Sequence, residues 1–167
     1  MKTKTAHTAQ PAPPLRNLSW VRWGTFSSVF LRFALALSFL SAVGDRFGLW
    51  GAFGRPNVAW GDFSHFLKYT QTLNWYLPAR MIPMLGIIST GIEILFGLLL
   101  LVGWYTRPSA LLSGILLVAF GLTMALALGV KAPLNFSVFS AAGGAFLLSE
   151  CKRFPFSVDE FLLHRSR

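Results

Sequence analysis

"GIISTGIEILFGLLLLVGWYTRP", residues 86–108, is apolar almost throughout, yet Glu93 sits near its middle. About 20 apolar residues cross the hydrocarbon core of a bilayer, so this stretch reads as a membrane-spanning helix. A carboxylate at that depth costs several kcal/mol unless it is paired, and it marks the place to look for function.

The composition agrees with a membrane reading. The chain of 167 residues is 54% hydrophobic and 15% aromatic but only 13% charged, against about 25% charged residues in a soluble domain. The net charge of +9 comes mostly from basic residues that flank the apolar runs, where topology and anionic lipid place them. This distribution argues against nucleic acid as the partner. Cys151 is the single cysteine, which excludes an intrachain disulfide and a CxxC motif. His7, His65 and His164 lie outside the apolar runs, which argues against a bis-histidine haem within the helices. The sequence offers no metal-ligand cluster.

Working outward from residue 93 gives an all-α integral membrane four-helix bundle. The expected spans are 25–43, 80–105, 109–130 and 133–149, within a membrane domain of residues 23–150. Residues 1–22 read as a flexible basic tail and 151–167 as a second basic tail. A cleaved leader ending near Ala42-Val43-Gly44 is the competing reading of the first span. The long preceding region and Arg32 within the apolar run argue against it. Pro83 falls in the first turn of the second span, where a missing N–H is tolerated.

Between the first two spans, "GDFSHFLKYTQTLNWYLP" reads as an amphipathic helix at the bilayer surface. Asp62 is its cap, and Phe63, Phe66, Leu67 and Leu73 fall on one side. A loop folded over the bundle mouth is favoured over a lid or partner-docking surface, because aromatic belts are common at interfaces. With both tails inside, nine basic residues lie on the cytoplasmic side and five (Arg46, Arg55, Lys68, Arg80 and Lys131) on the other. That asymmetry sets both ends in the cytoplasm, in a bacterial inner membrane.

Helices in lipid pack through small residues and polar contacts. Gly86, Thr90, Glu93 and Gly97 share one face of the second span. Ala110, Gly114, Gly121 and Ala125 form a similar stripe on the third. On the fourth, Ser140 aligns with Gly144 and Ala141 with Ala145. Glu93 therefore points into the bundle. Depth matching selects Arg32 as its partner. Arg32 is ~13 Å along the helix from Trp23, and Glu93 is ~16 Å from Trp104 at the same membrane side. Such a pair could fix helix register, hold a polar headgroup such as a quinone carbonyl, or carry protons. Asp45 and Arg46, at the end of the first span, form a second charged cluster and a candidate headgroup rim. Thr90 and Arg107 are secondary candidates.

Two stretches, "FLRFALALSFLSAVGDRFGLWG" (30–51) and "GIEILFGLLLLVGWYTRPSALL" (91–112), resemble the DoxX family of small four-helix membrane proteins, over about Val29–Glu150. The sequence has Asp45-Arg46 where a lysine is usual in that family, and its aromatic connection is longer. The resemblance implies an accessory part of a membrane redox or sulfur-redox system. The expected function is thus a quinone- or lipid-contacting accessory subunit. It holds no intrinsic cofactor, a quinone being the one it would meet, and its partners are the bilayer, a membrane or peripheral redox protein, or further copies. Whether the chain is itself an enzyme stays open. A self-sufficient oxidoreductase lacks support, since no dinucleotide fingerprint or redox cysteine pair is present. The rival is a non-catalytic scaffold or assembly factor. A small-molecule carrier ranks third, since no inverted repeat is visible.

Overall fold

A computed structural model describes residues 18–165, with side chains described from residue 24; most of the expected N-terminal tail lies outside the described residues. Their secondary structure is helical, in the order α1 (Leu18–Arg46), α2 (Phe63–Leu73), a 3-10 turn (Ala79–Met81), α3 (Ile82–Val102), α4 (Thr106–Leu128), α5 (Lys131–Asn135), α6 (Val138–Ser149) and α7 (Val158–Arg165), joined by turns and loops. Three of the segments are long and apolar enough to cross a membrane: Gly24–Arg46, Ala79–Val102 and Thr106–Leu128. The protein is accordingly read as a membrane protein.

Local chemistry explains the boundaries. Pro83 sits in the first turn of α3. Gly103 ends that helix at φ 71, where its N–H and that of Trp104 both bond to the Leu99 carbonyl. A left-handed residue without a Cβ penalty is the usual way to close a helix. Asp62 caps α2 as expected, accepting from the His65 N–H at 2.9 Å. That bond, the Ser64 hydroxyl and the His65 ring together hold the Asp62 carboxyl well below the usual carboxylate range.

The fourth span expected over 133–149 is not found as a single membrane-length helix. Ser137 takes a left-handed conformation, φ 53, and separates α5 from α6. The 12 residues of α6 extend only ~18 Å, short of the ~30 Å hydrocarbon core.

The main packing pairs are α1 with α3 and α4 with α6. Their shared core comprises Leu35, Ala36, Phe39, Leu100, Ala110, Ala145 and Leu148. The expected face of α3 is buried: Gly86, Thr90, Glu93 and Gly97 all lie inside. On α4, Ala110, Gly114 and Gly121 are buried with Thr106, Ser109, Ser113 and Met124, while Ala125 is only half-buried. On α6, Ala142 and Ala145 are buried, whereas Ser140 is exposed.

Large side chains fill the gaps left by small ones. Leu40 lies over Gly97, Phe146 over Gly114 and Phe139 over Gly121. A Cβ on Gly114 would fall 2.4 Å from the Phe146 ring. Gly114→Ala is therefore expected to cost about 1–3 kcal/mol by overpacking. Adding Phe146→Leu should recover part of that loss, and thermal unfolding in detergent measures both.

At one end of the bundle, α2 lies over α3 and α4 and also touches α1. Its apolar side meets protein: Leu67, Phe66 and Phe63 converge on Gly86. Ser64, Lys68, Gln71 and Thr72 face outward. The segment is thus folded over the bundle mouth, as the sequence favoured, and we call this the lid end.

Candidate functional site

The buried charge lies beneath the lid. α1 stops at Arg46 while α3 begins eleven residues before Glu93, so the N-terminal half of α3 extends past the end of α1. The connection and α2 fill that step. Arg46 reaches inward from the last turn of α1. Its Nη1 donates to Thr90 Oγ1 at 2.7 Å and its Nη2 to Glu93 Oε1 at 2.8 Å. Nη2 also lies 2.7 Å from Glu93 Oε2, an ion contact that leaves Oε2 without an aligned hydrogen bond. The pair is closed off from solvent, with Arg46 4% and Glu93 2% exposed. Above it, the guanidinium carbon is 3.8 Å from the centre of the Phe66 ring and 5.3 Å from that of Trp60. Cation–π contacts of this kind gain strength when desolvated.

Asp45, next in sequence, turns the other way. Its Oδ2 accepts from the N–H groups of Ala59 at 2.8 Å and Trp60 at 3.2 Å, and its Oδ1 from Gly61 at 3.3 Å. Asp45 and Arg46 are thus not a solvated helix-end pair. One carboxylate shapes the loop that delivers Trp60, and the neighbouring guanidinium lies beneath that tryptophan.

The expected Arg32–Glu93 pair is not formed. Arg32 is buried, 1% exposed, but it donates to the carbonyls of Pro155 (Nη1, 3.2 Å) and Phe156 (Nη2, 2.6 Å). It sits beside Gly103, at the far end of α3. That position is ten residues, or ~15 Å, from Glu93 along the helix. The expectation failed because it aligned α1 and α3 by their tryptophans. Gly97 in fact packs against Leu40, and that register brings Arg46 to Glu93.

Arg32 instead holds down the segment after α6. Asp159 reinforces this clasp, accepting from the N–H groups of Tyr105 at 2.9 Å and Thr106 at 2.8 Å and so capping α4. Arg107 adds a bond from Nη2 to the Cys151 carbonyl at 3.2 Å. Residues 151–159 therefore fold back on the bundle, a role for Asp159 that sequence reasoning missed. Its signal was an acidic residue in a basic segment, with no way to see the distant helix start it caps. Arg32→Met should release this segment. Limited trypsin digestion is expected to cut faster after Lys152 and Arg153, while cleavage after the exposed Lys68 stays unchanged.

The family model described as methylamine utilisation protein MauE matches residues 57–135, just under half of the chain. No curated protein and no solved structure matches the chain. The match corrects the DoxX assignment, because it covers the whole of the second quoted stretch, and the family found there is MauE. What that stretch displays is a general solution for a membrane hairpin: small residues for close approach, a left-handed glycine, then a capped turn. The matched region takes in α2, α3, α4 and α5, with Thr90 and Glu93, but not Arg46.

Proposed function

We propose that the protein is an integral membrane accessory component of a redox system, of the kind named by methylamine utilisation protein MauE. It acts beside an oxidoreductase. The observation that carries this reading is the similarity over residues 57–135, since that region contains the lid and the glutamate beneath it as well as apolar helix. In this reading the chain crosses the membrane four times, with α5 and α6 in series as the last passage. The 19 residues from Lys131 to Ser149, broken at Ser137, would supply that passage. Both ends lie in the cytoplasm of a bacterial cell, on the charge asymmetry given above, and the lid faces outward toward headgroups and the partner. Reporter fusions at Met1 and Arg167 are expected to report the same cytoplasmic side.

The site supports a holding role for the Arg46–Glu93 pair. Arg46 is engaged by Thr90, Glu93 and Phe66 at once, and it ties together α1, α3 and α2. A second reading has the pair contact the polar head of a lipid-soluble ligand, such as a quinone carbonyl. One observation favours it: Glu93 Oε2 and Arg46 Nε are buried without hydrogen bonds, and such atoms invite a partner.

Deleting this chain from its host should abolish amine-dependent reduction of an artificial electron acceptor by isolated membranes. Re-expression of the wild type should restore it. Undiminished reduction in the deletion strain would refute the accessory role. A folded Arg46→Met/Glu93→Gln double variant that restores activity fully would remove the quinone reading and leave the holding one.

A further inference from the structure

We infer that α7, with the loop that leads into it, is a foot that docks on anionic phospholipid at the bilayer face opposite the lid. The inference rests on the C-terminal segment and on the two spans that end beside it. It does not require the accessory role.

The clasp fixes where this segment lies. The Asp159 N–H donates to the Gly103 carbonyl at 3.0 Å, and the Asp159 carboxylate accepts from Tyr105 and Thr106. α7 therefore starts at the tight turn between α3 and α4. Both of those helices are long and apolar enough to cross a membrane, so their turn marks a bilayer boundary. Trp104 and Tyr105 in that turn are exposed, the placement of aromatics in a headgroup layer. Held there, α7 offers a side that the bundle leaves uncovered. At about 100° per residue, Val158, Phe161 and Leu162 fall on one side with Arg165 among them, and Glu160 falls opposite. Those four are exposed, Phe161 at 66%, and Phe156 just before the helix is 84% exposed. Apolar side chains on such a helix sink about 5–10 Å into the boundary between headgroups and acyl chains.

Charge selects the kind of surface. Lys152, Arg153 and Arg165 are exposed, and none forms an ion pair among the described residues. Between residues 151 and 165 the acidic side chains are Asp159 and Glu160, and Asp159 is occupied by the N–H groups that open α4. A zwitterionic bilayer would satisfy the apolar side alone. An anionic one satisfies both, each Lys or Arg near it strengthening attachment by about fivefold. An acidic protein could offer the same charge. The bilayer, however, lies beside the α3–α4 turn in every copy, so docking on it is intramolecular in effect.

The test uses the full-length protein in nanodiscs of phosphatidylcholine, alone or mixed with phosphatidylglycerol. In a Cys151→Ser background, Leu162→Cys or Glu160→Cys carries an environment-sensitive fluorophore. Lipids spin-labelled near the top of the acyl chain quench a fluorophore that enters the bilayer. The label at 162 is expected to be quenched, more strongly with phosphatidylglycerol than without it, while the label at 160 stays in water. Lys152→Gln/Arg153→Gln/Arg165→Gln leaves the bonds of Arg32, Arg107 and Asp159 in place. In the phosphatidylglycerol discs it should lower the ratio of docked to free α7 by about fivefold for each charge removed. A label at 162 as wet as the one at 160 in both discs overturns the inference and leaves this side of α7 to a protein partner. Quenching that ignores phosphatidylglycerol, or that the triple variant leaves unchanged, overturns it as well.

Discussion

Arg46→Met is expected to destabilise the protein by about 3–5 kcal/mol, the cost of leaving one member of a buried ion pair without the other. Glu93 would remain in the interior with only the Thr90 hydroxyl beside it, beneath Phe66 and cut off from water. Glu93→Gln should be milder but still costly, since Arg46 would keep Thr90 and Phe66 while losing its counter-charge. The double variant Arg46→Met/Glu93→Gln should lose less than the sum of the two single variants. A neutral pair of similar volume strands no charge, and such replacements are often close to neutral. Thermal unfolding of all four proteins in detergent gives the coupling directly. Additive losses would show that the two residues do not act on each other. Arg32→Met with Glu93→Gln serves as the control cycle: Arg32 bonds to Pro155 and Phe156 carbonyls, so those two losses should add.

The second large effect is expected at Gly61. This residue has φ +68, and a Cβ there would fall 2.2 Å from the Phe53 nitrogen and 2.7 Å from the Ala52 carbonyl carbon. Both obstacles are backbone, so no rotamer change relieves them. Gly61→Ala must open the loop, and the three N–H bonds to Asp45 and the seat of Trp60 over Arg46 go with it. A loss of about 2–4 kcal/mol follows from a left-handed alanine together with the clash. Gly54→Ala isolates the first term. Gly54 also has positive φ, +89, but nothing lies within 4 Å of its Cβ position, so that variant should lose only about 1–2 kcal/mol. Chymotrypsin cleavage after the exposed Trp50 should accelerate strongly in Gly61→Ala and only slightly in Gly54→Ala.

These two sites separate what was legible in the sequence from what was not. The long apolar runs fixed the helical class and three membrane-length helices, because in lipid a backbone must satisfy its hydrogen bonds within each segment. Helical periodicity put Gly86, Thr90, Glu93 and Gly97 on one inward face, and short-range chemistry placed Pro83 and the Asp62 cap. All of these depend on residues within a few turns of one another. The partner of Glu93 does not. Arg32 and Arg46 are fourteen residues apart, almost four full turns, so they share a face and periodicity cannot choose between them. Only the axial register of α1 against α3 can, and it is set by Leu40 meeting Gly97 and Arg32 meeting Gly103. The segment expected as a fourth span was misread for a similar reason, since no proline or glycine marks the left-handed Ser137. The clasp of Arg32 and Asp159 over the C-terminal segment joins residues more than fifty positions apart. Sequence determined which residues must be buried and on which face, because that is a property of one helix in lipid. Tertiary structure decided which buried charges meet, because that depends on how far one helix slides along another, and packing of a few small residues against large ones sets that distance.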